Sequence, residues 1–229
     1  MFFQSMTFAN VNIVLFGNIQ SQSVFRGAVT YSKPSAIAGP SFIFFDTITI
    51  AGPSLFYSYG NPRKDKFIFK LGVKYVDDGV PLFVSSSKED FKNQRRNTVE
   101  LSSDLQYSFG KKNKFGFGLQ FHKDIKRHKK SLIEFNAKAP ILPFTSLKLL
   151  TSFAQKEMNQ YIYGPSSTSG AAYTSANIDI VIPFVPWEGI AKVGVVHTWV
   201  MKESNENAEY IRGDGKNFHS YFRLIWNVL

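Results

Sequence analysis

Histidine, acidic and hydroxyl side chains are the groups through which a chain of this composition could do chemistry. The sequence has no cysteine and four histidines, at His122, His128, His197 and His219. His219 precedes Ser220, but adjacent residues on a strand face opposite sides of a sheet. No acid–histidine–nucleophile set and no cluster with metal-ligand spacing can be read from the sequence. It therefore predicts no enzymatic activity, no cofactor and no metal site.

The formal net charge is +10, from 27 lysines and arginines against 17 aspartates and glutamates. Such a balance is typical of proteins that meet nucleic acid, anionic lipid or lipopolysaccharide phosphates. The positive charge is spread along the chain and is not gathered on one face. We therefore expect no nucleic-acid partner, and we expect outer-membrane lipid and lipopolysaccharide as partners.

One segment concentrates positive charge, with a single aspartate among its cations. Its cations are Lys123, Lys126, Arg127, Lys129 and Lys130. Each exposed cation near an anionic surface contributes about 1 kcal/mol of attraction. The segment predicts either a loop facing lipopolysaccharide or an ordinary solvated loop, and both interpretations stay open.

The spacing of Lys66, Lys70 and Lys74 indicates that β-strands position the charged groups. They alternate with apolar residues over 67–75, so they share one face of a strand. An unpaired buried charge is costly, so this face must meet water, either outside a sandwich or inside a barrel.

The same alternation recurs in most segments from residue 66 to the end of the chain. It predicts an apolar, lipid-facing set made of Phe67, Phe69, Phe115, Phe117, Leu119, Phe121, Ile178, Ile180 and Trp226. A further strand is predicted where Phe25, Val29 and Tyr31 alternate with Arg26, Thr30 and Ser32. The opposite faces of these strands predict a lumen lining made of Arg26, Lys66, Lys70, Lys74, Glu100, Asp104, Glu134, Asp179, Lys192 and Arg223. This lining would act either as an anion-preferring pore or as interlocking salt bridges that fill a narrow barrel.

Connection lengths separate a membrane barrel from a soluble sheet. Residues 110–113, 140–144 and 186–189 form short connections, 123–130 is intermediate, and 77–97, 155–172 and 202–216 are long. Outer-membrane barrels place short turns on the periplasmic side and long loops outside. A soluble sandwich or lipocalin-like barrel explains the alternation but not this asymmetry. We therefore predict an all-β fold, a closed antiparallel transmembrane β-barrel of 10–12 strands, with 12 favoured.

The domain organisation is a single barrel over residues 22–229. Residues 8–17 are apolar, but the first 20 residues contain no lysine or arginine, which is atypical of a secretory signal. Residues 1–21 are therefore predicted to be either a degenerate signal or N-terminal segment, or the first strand.

Four short segments resemble the MipA/OmpV (MltA-interacting protein-like) family of Gram-negative outer-membrane proteins. They are Gly52-Pro-Ser-Leu-Phe-Tyr, Asp77-Asp-Gly-Val-Pro, Asn159-Gln-Tyr-Ile-Tyr-Gly-Pro and Ile182-Pro-Phe-Val-Pro-Trp. The resemblance implies a non-enzymatic scaffold, structural protein or adhesin of the bacterial outer membrane. It also implies a link to murein synthesis and hydrolysis, with a periplasmic murein synthase or transglycosylase as partner.

Two further functions stay open. The charged lumen favours a narrow channel for small solutes as the alternative to a scaffold. An outer-membrane lipase or protease is the weaker alternative, because no catalytic set is legible. The sequence does not define the oligomeric state.

Overall fold

The computed structural model describes residues 11–60, 65–76, 97–110, 115–127, 129–184, 189–211 and 215–228. The predicted long loop at 77–97 lies outside these residues except for Asn97, as do most of the predicted turns at 110–113 and 186–189.

Strands dominate the described chain. In chain order the elements are β1 (Val11–Gln20), β2 (Ser23–Phe25), β3 (Ala28–Tyr31), β4 (Ser35–Phe44), β5 (Ile48–Ala51), β6 (Ser54–Tyr59), β7 (Phe67–Val76), β8 (Thr98–Phe109), β9 (Phe115–Asp124), β10 (Ser131–Leu142), β11 (Thr145–Ala154), α1 (Lys156–Tyr163), β12 (Gly170–Phe184), β13 (Gly189–Val200), α2 (Glu203–Glu206) and β14 (Lys216–Asn227). No helix among the described residues is long and apolar enough to cross a membrane.

Twelve of these strands form one closed antiparallel barrel, in the order β1-β14-β13-β12-β11-β10-β9-β8-β7-β6-β5-β4. The first strand closes the sheet by pairing with β14 on one side and with β4 on the other. The hairpin of β2 and β3 stands apart as a separate two-stranded sheet. The predicted closed antiparallel barrel and its favoured strand number are confirmed.

The outer surface of the barrel is apolar. On β9, for example, the Phe117 side chain is 59% exposed, whereas His122 on the opposite face is buried. Large exposed hydrophobic residues recur on every strand of the barrel. A sheet that closes without edges and presents an apolar belt of this extent is suited to hydrocarbon surroundings.

The two ends of the barrel differ. At one end, which we call the turn end, the described connections are short, as at 45–47 and 143–144, and the start of β1 and the end of β14 also lie there. At the other, the loop end, lie the longer connections that carry α1, α2 and the β2–β3 hairpin. In outer-membrane barrels the end with the short turns is the periplasmic end.

The hydrophobic core lies inside the lumen, near the loop end. Its members include Ala28 of the hairpin, Met158 and Ile162 of α1, and Leu132 of the wall, all 0% exposed. We call the hairpin Ser23–Tyr31 together with α1 the plug. Because these segments fold inward, the chain fills the loop end of its own barrel.

Candidate functional site in the barrel lumen

The tip of the plug hairpin is the two-residue turn Arg26-Gly27. Both residues have positive φ, at 48° and 85°. A side chain at Gly27 would place its Cβ 2.7 Å from the Cβ of Tyr173, so only glycine fits. Asn217 Nδ2 donates to the Gly27 carbonyl at 2.9 Å, and the Tyr163 hydroxyl donates to the Arg26 carbonyl at 3.0 Å. These contacts fix the tip inside the lumen.

Arg26 joins the tip to the barrel wall opposite β1. Its Nη1 and Nη2 donate to Glu100 Oε1 and Oε2 at 2.8 and 2.6 Å, forming a bidentate pair. The two side chains are 9% and 0% exposed. Burial alone would lower the pKa of Arg26, but the Glu100 carboxylate outweighs that effect, so the pKa is raised and the guanidinium stays charged.

His122 of β9 lies between two carboxylates. Its Nδ1 is 3.8 Å from Glu100 Oε2, and its Nε2 is 3.4 Å from Glu134 Oε2. The Tyr173 hydroxyl donates to Glu134 Oε1 at 2.5 Å. We call Arg26, Glu100, His122, Glu134 and Tyr173 the lumen ion cluster.

The lumen ion cluster lacks the geometry of a hydrolase. Ser102 lies opposite His122 in the β8–β9 ladder, but its Oγ donates to the Gly72 carbonyl at 3.4 Å. No hydroxyl group is hydrogen-bonded to His122 among the described residues. Within the same residues, no group of three or more potential ligands could hold a metal ion. The arrangement is that of an ionic clamp between the plug and the wall.

Charged side chains further toward the turn end line two cavities. The first, of about 230 Å³, lies against β7, β8 and β9 and contains Lys70, Lys74 and Asp104. The second, of about 290 Å³, we call the cationic cavity. Its charged lining residues are Lys138, Lys148, Lys192, Arg223 and Asp179.

The predicted lumen residues fall into three groups. Lys70, Lys74 and Asp104 line the first cavity, Asp179, Lys192 and Arg223 line the cationic cavity, and Glu100 and Glu134 belong to the lumen ion cluster. The sequence interpretation of Arg26 as a strand residue is wrong, because it occupies the hairpin turn within the plug. Lys66 also lies outside the strands, exposed just before β7.

Sequence reasoning missed four residues of these sites. His122 and Tyr173 required the three-dimensional placement of the plug. Lys138 and Lys148 could have been predicted to face each other in the lumen. Each lies in an alternating segment, and only one short turn separates the two strands. That register places the two lysines directly opposite each other.

The predicted lipid-facing residues lie on outward strand positions. Phe69 is half-buried; the others, which are Phe67, Phe115, Phe117, Leu119, Phe121, Ile178, Ile180 and Trp226, are exposed.

The basic segment lies at the loop end. Asp124 Oδ1 accepts from the backbone N–H groups of Lys126 and Arg127 at 2.9 and 2.8 Å, which holds the turn. Lys130 Nζ is 3.8 Å from Glu157 Oε1 of α1. Lys126, Arg127 and Lys129 are exposed, and Lys123 is exposed at the end of β9.

Together these features define a closed twelve-stranded barrel of the outer-membrane type whose loop end is filled by its own chain. No protein-family profile matches the chain, and no curated protein sequence matches it. It is similar to a solved structure of the NanC porin, with 8% identity, a TM-score of 0.41, and coverage of 94% of this chain and 98% of the porin. It is also similar to OmpT, an outer membrane protein of Vibrio cholerae, with 7% identity, a TM-score of 0.41, and coverage of 96% and 97%. Likenesses this distant do not bear on activity, and the resemblance to the MipA/OmpV family stays a prediction.

Proposed function

We propose that the chain is a bacterial outer-membrane barrel of the MipA/OmpV type with a non-enzymatic scaffold, structural or adhesin role. In this role its exposed ends bind other envelope components, and its lumen is closed toward the loop end. The role is linked to the machinery that synthesises and hydrolyses murein.

The observation that carries this proposal is the bidentate pair of Arg26 and Glu100. The pair connects the plug to the opposite wall, and both side chains are withdrawn from water. A buried ion pair is held only where its geometry and hydrogen bonds are good, and breaking it is costly. The pair holds the plug in the loop end of the lumen, and this arrangement favours a barrel that acts through its surfaces over a permanently open pore.

The two ends suit different partners. The turn end would meet periplasmic proteins such as a murein synthase or transglycosylase. The loop end presents Lys126, Arg127 and Lys129, whose charges suit lipopolysaccharide phosphates. The turn-end interaction derives from the family resemblance, whereas the loop-end interaction derives from charge.

Affinity capture tests the scaffold. The purified full chain, immobilised in detergent, is expected to retain murein synthases and transglycosylases from a solubilised Gram-negative envelope. An unrelated barrel of similar size is the control. Equal recovery of these enzymes on both barrels would contradict the scaffold role.

A narrow channel for small solutes is the second candidate, favoured by the positively charged lining of the cationic cavity. Planar-bilayer recording separates the two functions. We expect no discrete current steps from the wild-type chain as a scaffold, whereas anion-selective steps would favour the channel.

A further inference from the structure

Several charged residues lie directly opposite each other on neighbouring strands. In one part of the lumen the two charges have opposite signs and are matched, and in another they have the same sign and are mismatched. Between β7 and β8, Lys70 lies opposite Asp104 and Lys74 lies opposite Glu100. Opposite charges in such positions stabilise a sheet, and like charges destabilise it.

The mismatched pairs surround the cationic cavity. Lys138 lies opposite Lys148 across β10 and β11, and Lys192 lies opposite Arg223 across β13 and β14. All four side chains line the same space of about 290 Å³. Lys192 is within electrostatic range of the other three cations.

Compensation within the cavity is small. Among the described residues that line the cavity, Asp179 is the single carboxylate, and its Oδ1 accepts a hydrogen bond from Ser146 Oγ at 2.9 Å. The four cations against one carboxylate leave an excess of three positive charges. Low-dielectric walls around a cleft of one sign concentrate the field and attract counter-ions.

Neutral donors complete the lining. The Asn136 Nδ2 group is buried and makes no hydrogen bond within the described residues. Tyr221 belongs to the same lining, and its hydroxyl accepts from Asn177 Nδ2 at 3.3 Å. Arg223 is held over the Tyr221 ring at 5.6 Å and donates to Asn18 Oδ1 at 3.4 Å. A cavity with charged and neutral donors converging on it is built for an acceptor-rich ligand.

We propose that the cationic cavity binds a compact, multiply charged anion bearing phosphate or carboxylate groups. The anion would lie between the Lys138–Lys148 pair and the Lys192–Arg223 pair and neutralise both. The inference goes beyond the scaffold role and does not depend on whether the barrel conducts.

The anion enters from the turn end. Lys148 is three residues from the start of β11 and Lys192 is three residues from the start of β13, both at that end. At roughly 3.3 Å per residue, the site lies about 10 Å inside the mouth. Lys138 and Arg223 are exposed, so the cavity is open to solvent, whereas the plug occupies the opposite end.

Isothermal titration of the full chain in a non-ionic detergent tests the site, with pyrophosphate and citrate as probes and maltose as the neutral comparison. We expect saturable binding of at least one anion, weakening as sodium chloride is raised. Binding of pyrophosphate alone would assign a phosphate ligand, and binding of citrate alone a carboxylate ligand. Absence of saturable binding by both anions would overturn the proposal.

The matched variants are Lys148→Gln/Lys192→Gln within the cavity and Lys33→Gln/Lys66→Gln outside it, which remove the same charge. The first is expected to lose at least tenfold in anion affinity, and the second to bind like the wild type. Equal affinities in the two double variants would overturn the site.

The melting temperatures of both proteins are measured without and with the anion, so the result does not depend on how much of each protein folds. Relief of repulsion is expected to raise the melting temperature of Lys148→Gln/Lys192→Gln. The anion is expected to raise the melting temperature of the wild type but not of this variant. An anion-dependent rise of equal size in both proteins would contradict the assignment.

Discussion

At the scale of single residues, the clamp between Arg26 and Glu100 makes a direct prediction. Replacing Arg26 by methionine leaves the Glu100 carboxylate 0% exposed without its bidentate partner. Removing one member of a buried pair costs about 3–5 kcal/mol. We expect a loss of that size in the free energy of unfolding, measured by urea titration of the barrel in lipid vesicles.

The double variant Arg26→Met/Glu100→Gln is the control for this pair. It removes the charge that the single variant leaves uncompensated, so it is expected to be more stable than Arg26→Met alone. If both variants lose the same stability, the pair does not hold the plug.

Gly27 gives a second prediction at this scale. An alanine at Gly27 combines positive φ with a contact of 2.7 Å to Tyr173, whereas an alanine at Gly52 has positive φ with nothing within 4 Å. Backbone strain of this kind costs about 1–3 kcal/mol, and overpacking typically costs about as much again. Gly27→Ala should therefore lower the unfolding free energy more than Gly52→Ala in the same urea titration. Equal losses would mean that the tip does not pack against Tyr173.

At the scale of elements, the plug hairpin occupies the loop end of the lumen. Gln20 and Ser35 lie directly opposite each other at the ends of β1 and β4, so residues 21–34 can be replaced by an Asn-Gly turn. The shortened chain should still form a barrel, and it should show current steps in planar bilayers that the wild type lacks. The reason is that Arg26 and Ala28 no longer occupy the loop end.

The control for the shortened chain is a wild-type barrel carrying the same Asn-Gly substitution at an exposed turn, such as 45–46. This variant should stay silent. Silent recordings from both proteins would mean that α1 and the wall close the lumen without the hairpin.

Period-two alternation made the wall of the barrel predictable, because every strand from β7 onward has one face in water and the other in an apolar medium. The plug was not predictable by this argument. Its core residues, such as Met158 and Ile162, pack inside the lumen and not between water and lipid, so alternation does not show where they lie. Asn159 and Tyr161 of α1 were therefore read as part of a loop over 155–172, although Lys156–Tyr163 is helical.

The same limit applies to the candidate sites. The two-residue alternation alone was enough to predict that Lys70 and Lys74 lie on the same face of their strand. The meeting of Arg26 with Glu100 joins residues 74 positions apart, and no local pattern records it. Alternation alone also does not define the short strands β5 and β6, because Gly52 and Pro53 interrupt it where the chain turns between them.

At the scale of the whole molecule, the sheet of the barrel carries its charges on the inner face and its apolar groups on the outer face. Substitutions on two adjacent strands test this arrangement. Phe135 of β10 points outward and is 47% exposed, whereas Gln120 of β9 lines the first cavity opposite Asp104. A lysine on the lipid face near the midplane costs about 2–4 kcal/mol. A lysine at Gln120 would meet water and a carboxylate.

Phe135→Lys should therefore lower the unfolding free energy in lipid vesicles by about 2–4 kcal/mol, and Gln120→Lys should change it by less than about 1 kcal/mol. Urea titration followed by tryptophan fluorescence measures both. In a water-soluble barrel both changes would be small, because an exposed phenylalanine gains nothing from burial and its replacement by lysine is nearly neutral. A loss for Phe135→Lys no larger than that for Gln120→Lys would mean that the apolar belt does not face hydrocarbon.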